Sequence, residues 1–373
     1  MYTALSAIVF VVLLAGRGLK CSLLANSEDF VRPREYDSKG DIPPTYIVNL
    51  DLPPRDRWTD LINHFDRNQV LKVVEEALKA VEKNPYIRDL AVKIAADLDR
   101  FLPPPYSDEI RGISEGFQID LGLVVFANIF YDMEAYAGSP LRMCTSIVTM
   151  DREGQIIHGR NFDFDFADIL RNITVVMEFQ KGGKTLFYGV GFAGMIGPQT
   201  VYKPGAFTLS VNQRNTGKWW LNLLSALGEA WPTVFYIREV SERSNNYAEA
   251  LAMTKSMRTI SPNYFICGGM NAYEGFVGIG NRWGAKIETF NNTYQHKWYL
   301  LETNYDPWTK PPASDDRRNV AIKLMNSIGQ QNMDVDKLYN VLSTPPILND
   351  GTTFTTLMSA RNSSVYHTVI RHP

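Results

Sequence analysis

Three side chains near the middle of the chain could form a nucleophilic centre. Cys144 opens a strand-like apolar run, and Arg160 and Asp163 lie at the end of the next such run. A turn at Arg152-Glu153-Gly154 would join the two runs as a hairpin, whose open ends meet. A guanidinium beside a thiol favours the thiolate, the form of cysteine that attacks carbonyl carbon. The pattern therefore predicts a nucleophile, Cys144, held by Arg160 and by the carboxylate of Asp163.

Other interpretations of these residues stay open. Cys144 could be an inert core cysteine, as free cysteines often are, and Arg160 with Asp163 could be a structural ion pair. His158 could pair with Cys144 as in papain-like proteases, although it precedes Arg160 on the same run. Asp163-Phe164-Asp165 could bind a cation, but no further ligand is spaced nearby. Since no CxxC or HExxH motif occurs, we expect neither a metal nor a cofactor.

The elements that must position these residues change in character at Cys144. Apolar residues recur at helical spacing in 70–81, 86–101 and 116–131. After Cys144 the pattern predicts further helices at 219–227, 232–240, 247–257, 320–328 and 335–342. The predicted strands are 144–151, 156–161, 175–180, 184–188, 207–211, 264–268, 275–280, 286–290, 297–304, 354–358 and 364–370. The order indicates an α+β fold in which a mainly helical first third precedes many antiparallel strands.

The composition of the chain bears on its binding partners and on its export. The net charge of −2 is spread over interspersed acids and bases, so no nucleic-acid partner is expected. The apolar run Ala4–Ala15 is too short to span a bilayer and predicts a signal peptide, residues 1–21. A buried N-terminal helix is the alternative. We expect a protein of the lysosome, or one that is secreted.

Sequons and cysteines bear on the same expectation. Asn172, Asn291 and Asn362 each begin an Asn-x-Ser/Thr sequon, which predicts glycosylation on a secretory route. The chain has three cysteines, and no disulfide framework can be derived from their spacing. Cys267 lies in an apolar run and is expected to be a small buried strand residue.

Several motifs occur in order between about Ile42 and the C-terminus. They are Asn49-Leu50-Asp51-Leu52-Pro53-Pro54, Phe101-Leu102-Pro103, Glu109-Ile110-Arg111-Gly112, Cys144-Thr145-Ser146-Ile147-Val148, His158-Gly159-Arg160-Asn161-Phe162-Asp163, Thr303-Asn304-Tyr305-Asp306 and Asp315-Asp316-Arg317-Arg318. Together they resemble the acid ceramidase and N-acylethanolamine-hydrolysing acid amidase family, which belongs to the choloylglycine hydrolase superfamily. A set of separate motifs in order is more specific than any one of them.

The resemblance implies an N-terminal-nucleophile hydrolase, a four-layer αββα sandwich preceded by a mainly helical subunit. It implies a precursor that cleaves itself between Met143 and Cys144, which would leave a helical α-subunit (22–143) and a β-subunit (144–373). The amine freed on Cys144, with an unperturbed pKa of about 8, would act as base for its own thiol. By the same resemblance Arg160 and Asp163 position nucleophile and substrate.

Two further residues, Asn304 and Arg317, take their expected roles from the resemblance. Asn304 would donate to the oxyanion, and Arg317 would support the site electrostatically. In Asp315-Asp316-Arg317-Arg318 the acids could instead be helix-capping residues. The chain departs from the family at Gln213, where an acidic residue is usual, and this puts in doubt the processing rate and pH optimum more than the reaction class.

The implied substrate is a lipid amide taken from a membrane surface. The Trp219-Trp220 pair and Met358-Ser359-Ala360 resemble the acylethanolamine branch, whereas Asn128-Ile129-Phe130-Tyr131 resembles acid ceramidase. We expect N-acylethanolamines first and ceramide second, with Trp219 and Trp220 binding the acyl chain or packing in the core. A penicillin- or bile-salt-type amidase and a catalytically inactive lipid-binding protein are the other hypotheses.

Overall fold

Two β-sheets lie face to face in the computed structural model, and helices cover the outer face of each. The structure describes residues 41–81, 102–133, 144–164, 166–214, 216, 230–292 and 297–373. The α+β class and the four-layer αββα order predicted from the sequence are confirmed.

The bounds of the elements agree closely with the periodicity of the sequence in most places. The described helices are α1 (Thr59–His64), α2 (Arg67–Val81), α3 (Tyr106–Phe117), α4 (Leu121–Met133), α5 (Ala167–Leu170), α6 (Thr233–Arg243), α7 (Tyr247–Lys255), α8 (Arg317–Ile328) and α9 (Val335–Leu342). The described strands are β1 (Thr45–Asn49), β2 (Thr145–Met150), β3 (Ile156–Asp163), β4 (Thr174–Lys181), β5 (Lys184–Phe192), β6 (Thr200–Lys203), β7 (Phe207–Gln213), β8 (Asn263–Gly268), β9 (Gly275–Gly280), β10 (Ala285–Thr289), β11 (Tyr299–Glu302), β12 (Thr352–Met358) and β13 (His367–Ile370).

The smaller sheet has the strand order β11-β2-β3-β12-β13, and the larger one β1-β4-β5-β6-β7-β8-β9-β10. All neighbouring strands are antiparallel except β1, which runs parallel to β4 with Thr45 opposite Val176. A parallel neighbour cannot be joined by a short hairpin, so β1 comes from the distant N-terminal region. That region is therefore mainly helical, yet it also supplies an edge strand to the larger sheet.

Apolar side chains fill each of the three gaps between the layers. Val148 and Ile156 of the smaller sheet meet Tyr264 and Ile266 of the larger one. On the outer face of the smaller sheet, α8 and α9 bury Leu338 among the residues that contact Ile147. The N-terminal helices belong to the largest core cluster, together with strands β4 to β7. The first third of the chain is thus built into the same core as the rest.

A buried ion pair also ties the first third to the remainder. Glu109 on α3 accepts hydrogen bonds from Arg238 on α6 at 2.7 Å, from Arg57 at 2.8 Å and from the indole of Trp58 at 2.7 Å. Burial opposes the charge on Glu109, but Arg238 outweighs it and the pKa of Glu109 is lowered. A buried carboxylate with this many donors stays ionised and holds α3 against α6.

The structure differs from the predicted elements at several described places, among them α1, most of α3, and α5, which the predicted ranges do not include. The single helix predicted over 116–131 is wrong, because α3 ends at Phe117 and α4 begins at Leu121. Gln118 lies in the left-handed region, with φ 53°, and this conformation ends the first helix. Strand β6 was missed because it has only four residues. The predicted helices 86–101 and 219–227 lie outside the described residues.

Within the described ranges, every helix is too short or too polar to cross a membrane.

Candidate active site

Cys144 directly precedes β2, and the adjacent strand β3 ends at Asp163. The register sets Ser146 opposite Arg160, so the hairpin predicted from the sequence brings these ends together. Both strands are flanked by others, and the site therefore lies at the strand ends in the middle of the smaller sheet rather than at its lateral edge. The guanidinium of Arg160 donates to Sγ of Cys144 across 3.4 Å, and both side chains are buried.

Arg160 is held between the two sheets by neutral acceptors. Its Nη2 donates to the carbonyl of Val211 at 2.8 Å, and its Nη1 to the carbonyl of Gln199 at 3.3 Å and to the hydroxyl of Thr200. The guanidinium also lies over the ring of Phe162, 4.6 Å from its centroid. Because these partners carry no full charge, the positive charge of Arg160 remains available to a thiolate.

Sγ of Cys144 lies 3.8 Å from the main-chain carbonyl oxygen of Asp163, whereas the carboxylate of Asp163 pairs with other residues. Its Oδ2 accepts a hydrogen bond from Asn349 at 3.0 Å and is 3.8 Å from Nη1 of Arg317, so the ion pair of Asp163 is with Arg317 rather than with Arg160. Its Oδ1 is buried and has no hydrogen-bond partner among the described residues. Burial raises the pKa of Asp163 to about 6, although Arg317, Thr352 and Asn349 act in the opposite direction.

Arg317 contacts both Asn304 and Cys144. From the start of α8 it donates to the main-chain carbonyl of Cys144 at 2.7 Å and to Oδ1 of Asn304 at 3.1 Å. The amide nitrogen of Asn304 in turn donates to the carbonyl of Gln213 at 2.8 Å. The five residues predicted to be catalytic are thus brought together, although they come from four separate segments of the chain.

Of the two acids before α8, Asp315 supports Arg317 and also accepts a 3.5 Å hydrogen bond from the main-chain N–H of this first helical residue. Asp315 forms two hydrogen bonds of 2.7 Å with Arg317. Asp316 occupies the N-cap position without a side-chain capping hydrogen bond. Arg318 donates to the carbonyls of Asp306 at 3.1 Å and Thr309 at 2.9 Å, and so it anchors the loop that carries Asn304.

His158 has a structural environment that excludes a pair with Cys144. Its ring nitrogens lie 3.0 Å from the hydroxyl of Thr208 and 3.1 Å from that of Ser210, between the sheets. Burial, together with the charge of Arg160, lowers the pKa of His158 to about 3. The histidine is therefore neutral and hydrogen-bonded away from the thiol.

Two positioning groups were missed by sequence reasoning. Asn349 holds Asp163, and the Asn349-Asp350-Gly351 turn that presents it could have been found as a turn signal, although not its partner. Asn212 donates to the carbonyls of Glu302 and Thr303, both at 3.0 Å, and accepts from Ser146 at 3.0 Å. It thereby fixes the segment immediately before Asn304.

An apolar cavity adjoins the site on the side of the N-terminal helices. Its volume is about 60 Å³, and its wall is almost entirely apolar. The wall is formed by α2, α4 and residues 162–199, and its lining residues are Val70, Val73, Val74, Ala77, Ala127, Phe130, Tyr131, Phe162, Phe164, Phe166, Leu170, Ile173, Phe192, Ala193, Met195 and Gln199. Phe162 and Gln199 both contact Arg160, so this part of the cavity wall lies next to the guanidinium that contacts Cys144.

Some residues singled out in the sequence lie elsewhere. Met143, Asp165, Trp219 and Trp220 lie outside the described residues, as does the predicted signal peptide. Among the predicted glycosylation sites, Asn172 and Asn291 are exposed and Asn362 is half-buried. Cys267 is buried in β8, as expected, and burial raises its pKa well above the usual value.

Comparison with known proteins separates the chain into two matched regions. Residues 144–320 match the family described as linear amide C–N hydrolases, choloylglycine hydrolase family. Residues 41–102 match the family described as the beta subunit of N-acylethanolamine-hydrolyzing acid amidase. The N-acylethanolamine-hydrolyzing acid amidase of Cavia porcellus is 36% identical over 331 residues, which cover 88% of this chain and 91% of that protein. The chain belongs to the choloylglycine hydrolase family.

Other relatives of this choloylglycine hydrolase family member include both enzyme types suggested by the motifs. The acid ceramidase of Homo sapiens is 36% identical over 341 residues, covering 84% of this chain and 83% of that protein. The solved structure of a Caenorhabditis elegans N-acylethanolamine-hydrolyzing acid amidase ortholog superposes with a TM-score of 0.55 at 34% identity, over 61% of this chain and 100% of that one. The chain is accordingly a hydrolase of linear amide C–N bonds.

The two matched regions fit two subunits made from one precursor. The family description applies the letter beta to the N-terminal segment, which was named α-subunit above. Residues on both sides of Cys144 form the wall of the cavity, which combines Val70 and Ala127 with Phe162 and Phe192.

Proposed function

We propose that this hydrolase cleaves itself before Cys144 and then hydrolyses fatty-acid amides, N-acylethanolamines in preference to ceramide. The observation that carries the proposal is that the guanidinium of Arg160, 3.4 Å from the Cys144 thiol, also contacts Phe162 and Gln199 in the wall of the apolar cavity. We place the reaction in the lysosome or on the secretory route, as the apolar N-terminal run and the sequons suggest.

Self-cleavage would begin with attack by Sγ of Cys144 on the carbonyl carbon of Met143. The Met143–Cys144 C–N bond breaks as the acyl group moves from nitrogen to sulfur, and the nitrogen takes up a proton. Water then hydrolyses the thioester, leaving a carboxylate on Met143 and a free thiol and α-amine on Cys144. The short contact of Arg160 with sulfur favours the thiolate that starts this sequence.

In the processed protein, the new amine would serve as base for the thiol. The buried Oδ1 of Asp163, which has no partner among the described residues, is suited to accept a hydrogen bond from that amine. The amide nitrogen of Asn304 carries two hydrogens, one of which goes to Gln213, so the other can donate to the oxyanion. The thiolate adds to the substrate's carbonyl carbon, the C–N bond breaks as the amine leaves with a proton, and water hydrolyses the resulting thioester to release the fatty acid.

The acyl chain would occupy the cavity, since its wall is formed almost entirely by apolar side chains. The amine head group, in which the two candidate substrates differ, would remain on the solvent side. N-acylethanolamines are placed first because the amidase relatives are matched over more of both chains than the acid ceramidases. We also propose that the enzyme extracts its substrate from a membrane surface and that Trp219 and Trp220 contact the acyl chain.

The decisive experiment compares the purified chain with Cys144→Ala after incubation in acidic buffer. We expect a new chain beginning at Cys144, found by intact mass and N-terminal sequencing, that is absent from the variant. Hydrolysis of N-palmitoylethanolamine and of N-palmitoyl ceramide is then measured separately. One uncut, inactive chain in both samples would overturn the mechanism, and ceramide hydrolysis alone would reverse the substrate order.

Export and glycosylation are tested on protein secreted from cultured cells. We expect removal of N-glycans to lower the mass, and substitution of Asn172, Asn291 and Asn362 by Gln to abolish that shift. An unglycosylated protein retained in the cytosol would refute this part of the proposal without affecting the amidase chemistry.

A further inference from the structure

Gln199 is a polar side chain in the wall of a cavity that is otherwise apolar apart from Tyr131. Its side chain is buried, at 1% exposure, and its Oε1 has no hydrogen-bond partner among the described residues. Its Nε2 lies 3.8 Å from Sδ of Met195, and a thioether is only a weak acceptor. The amide thus gives up its hydration on folding without gaining an equivalent partner.

A buried amide in this state calls for a physical explanation. The great majority of buried side-chain polar atoms have at least one hydrogen-bond partner in folded proteins. A leucine or methionine of similar size would fill the same wall without that cost. The amide is therefore explained if a ligand in the cavity completes its hydrogen bonds.

The position of Gln199 indicates which part of a ligand it would meet. Its main-chain carbonyl accepts from Nη1 of Arg160 at 3.3 Å, and Nη2 of the same guanidinium lies 3.4 Å from the Cys144 sulfur. Gln199 is consequently near the catalytic end of the cavity. Its amide oxygen lies over Gly191, where a Cβ would be only 3.0 Å away, so the glycine leaves the space that the amide occupies.

We propose that Gln199 is a specificity-determining residue that binds a hydroxyl group in the carbonyl-proximal half of the acyl chain. The preferred substrates would then be amides of hydroxylated fatty acids, an inference that rests on the proposed amidase function. A hydroxyl can donate to Oε1 and accept from Nε2, so it satisfies both halves of the amide at once. An acyl chain without a polar group leaves both unsatisfied.

The test uses three ethanolamides of equal chain length: one unsubstituted, one with a hydroxyl in the half near the carbonyl, and one with the hydroxyl on the terminal carbon. The two hydroxylated isomers have the same polarity, so their ratio of kcat/KM isolates the position of the hydroxyl. One good hydrogen bond corresponds to a ratio of about tenfold in favour of the proximal isomer. We expect Gln199→Leu and Gln199→Met to bring this ratio close to one, whereas Leu170→Met, in the same wall but without a hydrogen bond to Gln199, preserves it.

Equal kcat/KM values for the two isomers in the unmodified protein would overturn the inference, and would indicate that a bound water completes the amide. The same comparison is made for binding, with the two hydroxy fatty acids displacing a fluorescent fatty acid from Cys144→Ala. Equal displacement also refutes the hydroxyl site. If the proximal isomer binds more tightly but no amide is hydrolysed by the unmodified protein, the inference stands and the amidase proposal fails.

Discussion

Substitution of Asn349 by Ala should change how Asp163 titrates. The substitution removes the N–H that donates to Oδ2 of Asp163 across 3.0 Å. Burial has already raised the pKa of Asp163 to about 6, and Asn349 is one of the groups that oppose this rise. Without the hydrogen bond, the charged carboxylate is less favoured, and the pKa rises further.

The size of the shift follows from the energy of one hydrogen bond to a charged group. Such a bond contributes about 1.5 kcal/mol or more, and one pKa unit corresponds to about 1.4 kcal/mol. Because Thr352 and Arg317 remain, we take the lower end and expect the pKa to rise by about one unit. A carboxyl group whose pKa is raised by folding contributes stability at low pH, and this contribution is lost as the pH rises through the folded pKa.

The assay is urea unfolding of the uncleaved Cys144→Ala protein, with and without Asn349→Ala, across the range from pH 4 to pH 8 that brackets the folded pKa of about 6. The Asn349 variant should lose about 1.4 kcal/mol more at the alkaline end of this range, above both folded pKa values, than at the acidic end. Asn332→Ala, which removes an exposed amide from another loop, should give a difference that does not depend on pH. A pH-independent difference for Asn349→Ala as well would refute the reasoning.

In the processed protein the same variant should shift the acidic limb of the kcat/KM profile upward. The ionised form of Asp163 is the one that can hold a protonated amine, so activity falls as this carboxylate takes up a proton. The amine of Cys144 adds a positive neighbour that lowers the pKa of Asp163 in both proteins, and the shift between them keeps its sign. We expect about one pH unit, equivalent to about tenfold lower activity on the acidic limb.

Three further predictions concern buried groups outside the nucleophile. Folding lowers the pKa of His158 from 6.5 to about 3. The neutral histidine therefore contributes stability above its unfolded pKa, and up to about 5 kcal/mol of this is lost as the pH falls through the folded pKa. His158→Gln should reduce this acid sensitivity in urea unfolding. Glu109→Gln leaves the buried Arg238 with only the partly exposed Glu242 as a counter-charge and should lower the free energy of unfolding by about 3 kcal/mol. Gly112→Ala should cost about 1–3 kcal/mol and lower Tm, because its Cβ would lie 2.0 Å from the carbonyl oxygen of Arg55.

Each of these has its own control. For His158, a difference from the variant that stays constant between neutral and acidic pH would contradict the assigned titration. The double variant Glu109→Gln with Arg238→Met should recover part of the loss, and an unchanged or larger loss would mean that the charge is not its cause. Gly116→Ala is the control for Gly112, since its Cβ would meet only the flexible side chain of Ile62 and should cost less.

Local sequence was sufficient for the part of the site that one hairpin builds. Cys144, Arg160 and Asp163 lie on or directly beside adjacent strands joined by a short turn, and the alternation of those strands sets which residues face each other. Asn304 and Arg317 were assigned by resemblance alone, since nothing in their local pattern indicates that they reach Cys144. Asn349 was missed because 186 residues separate it from Asp163, and a turn motif does not reveal its partner.

Misassigned elements have equally specific causes. A helical pattern continues across Gln118, but the backbone there turns left-handed so that α3 and α4 can pack against different partners. The short strand β6 carries too few residues for an alternating pattern to stand out. Parallel pairing of β1 with β4 depends on contacts between distant segments, which no local pattern encodes.

The sequence by itself determined the fold class and the hairpin that brings Cys144 to Arg160, because periodicity, turn residues and adjacent strands act over short distances along the chain. Only the tertiary structure decided that Arg317 bridges Cys144, Asn304 and Asp163, that His158 is turned away from the thiol, and that Gln199 lies unsatisfied in the apolar wall. These features depend on how the two sheets and the N-terminal helices meet, and burial there sets the protonation of Asp163 and His158.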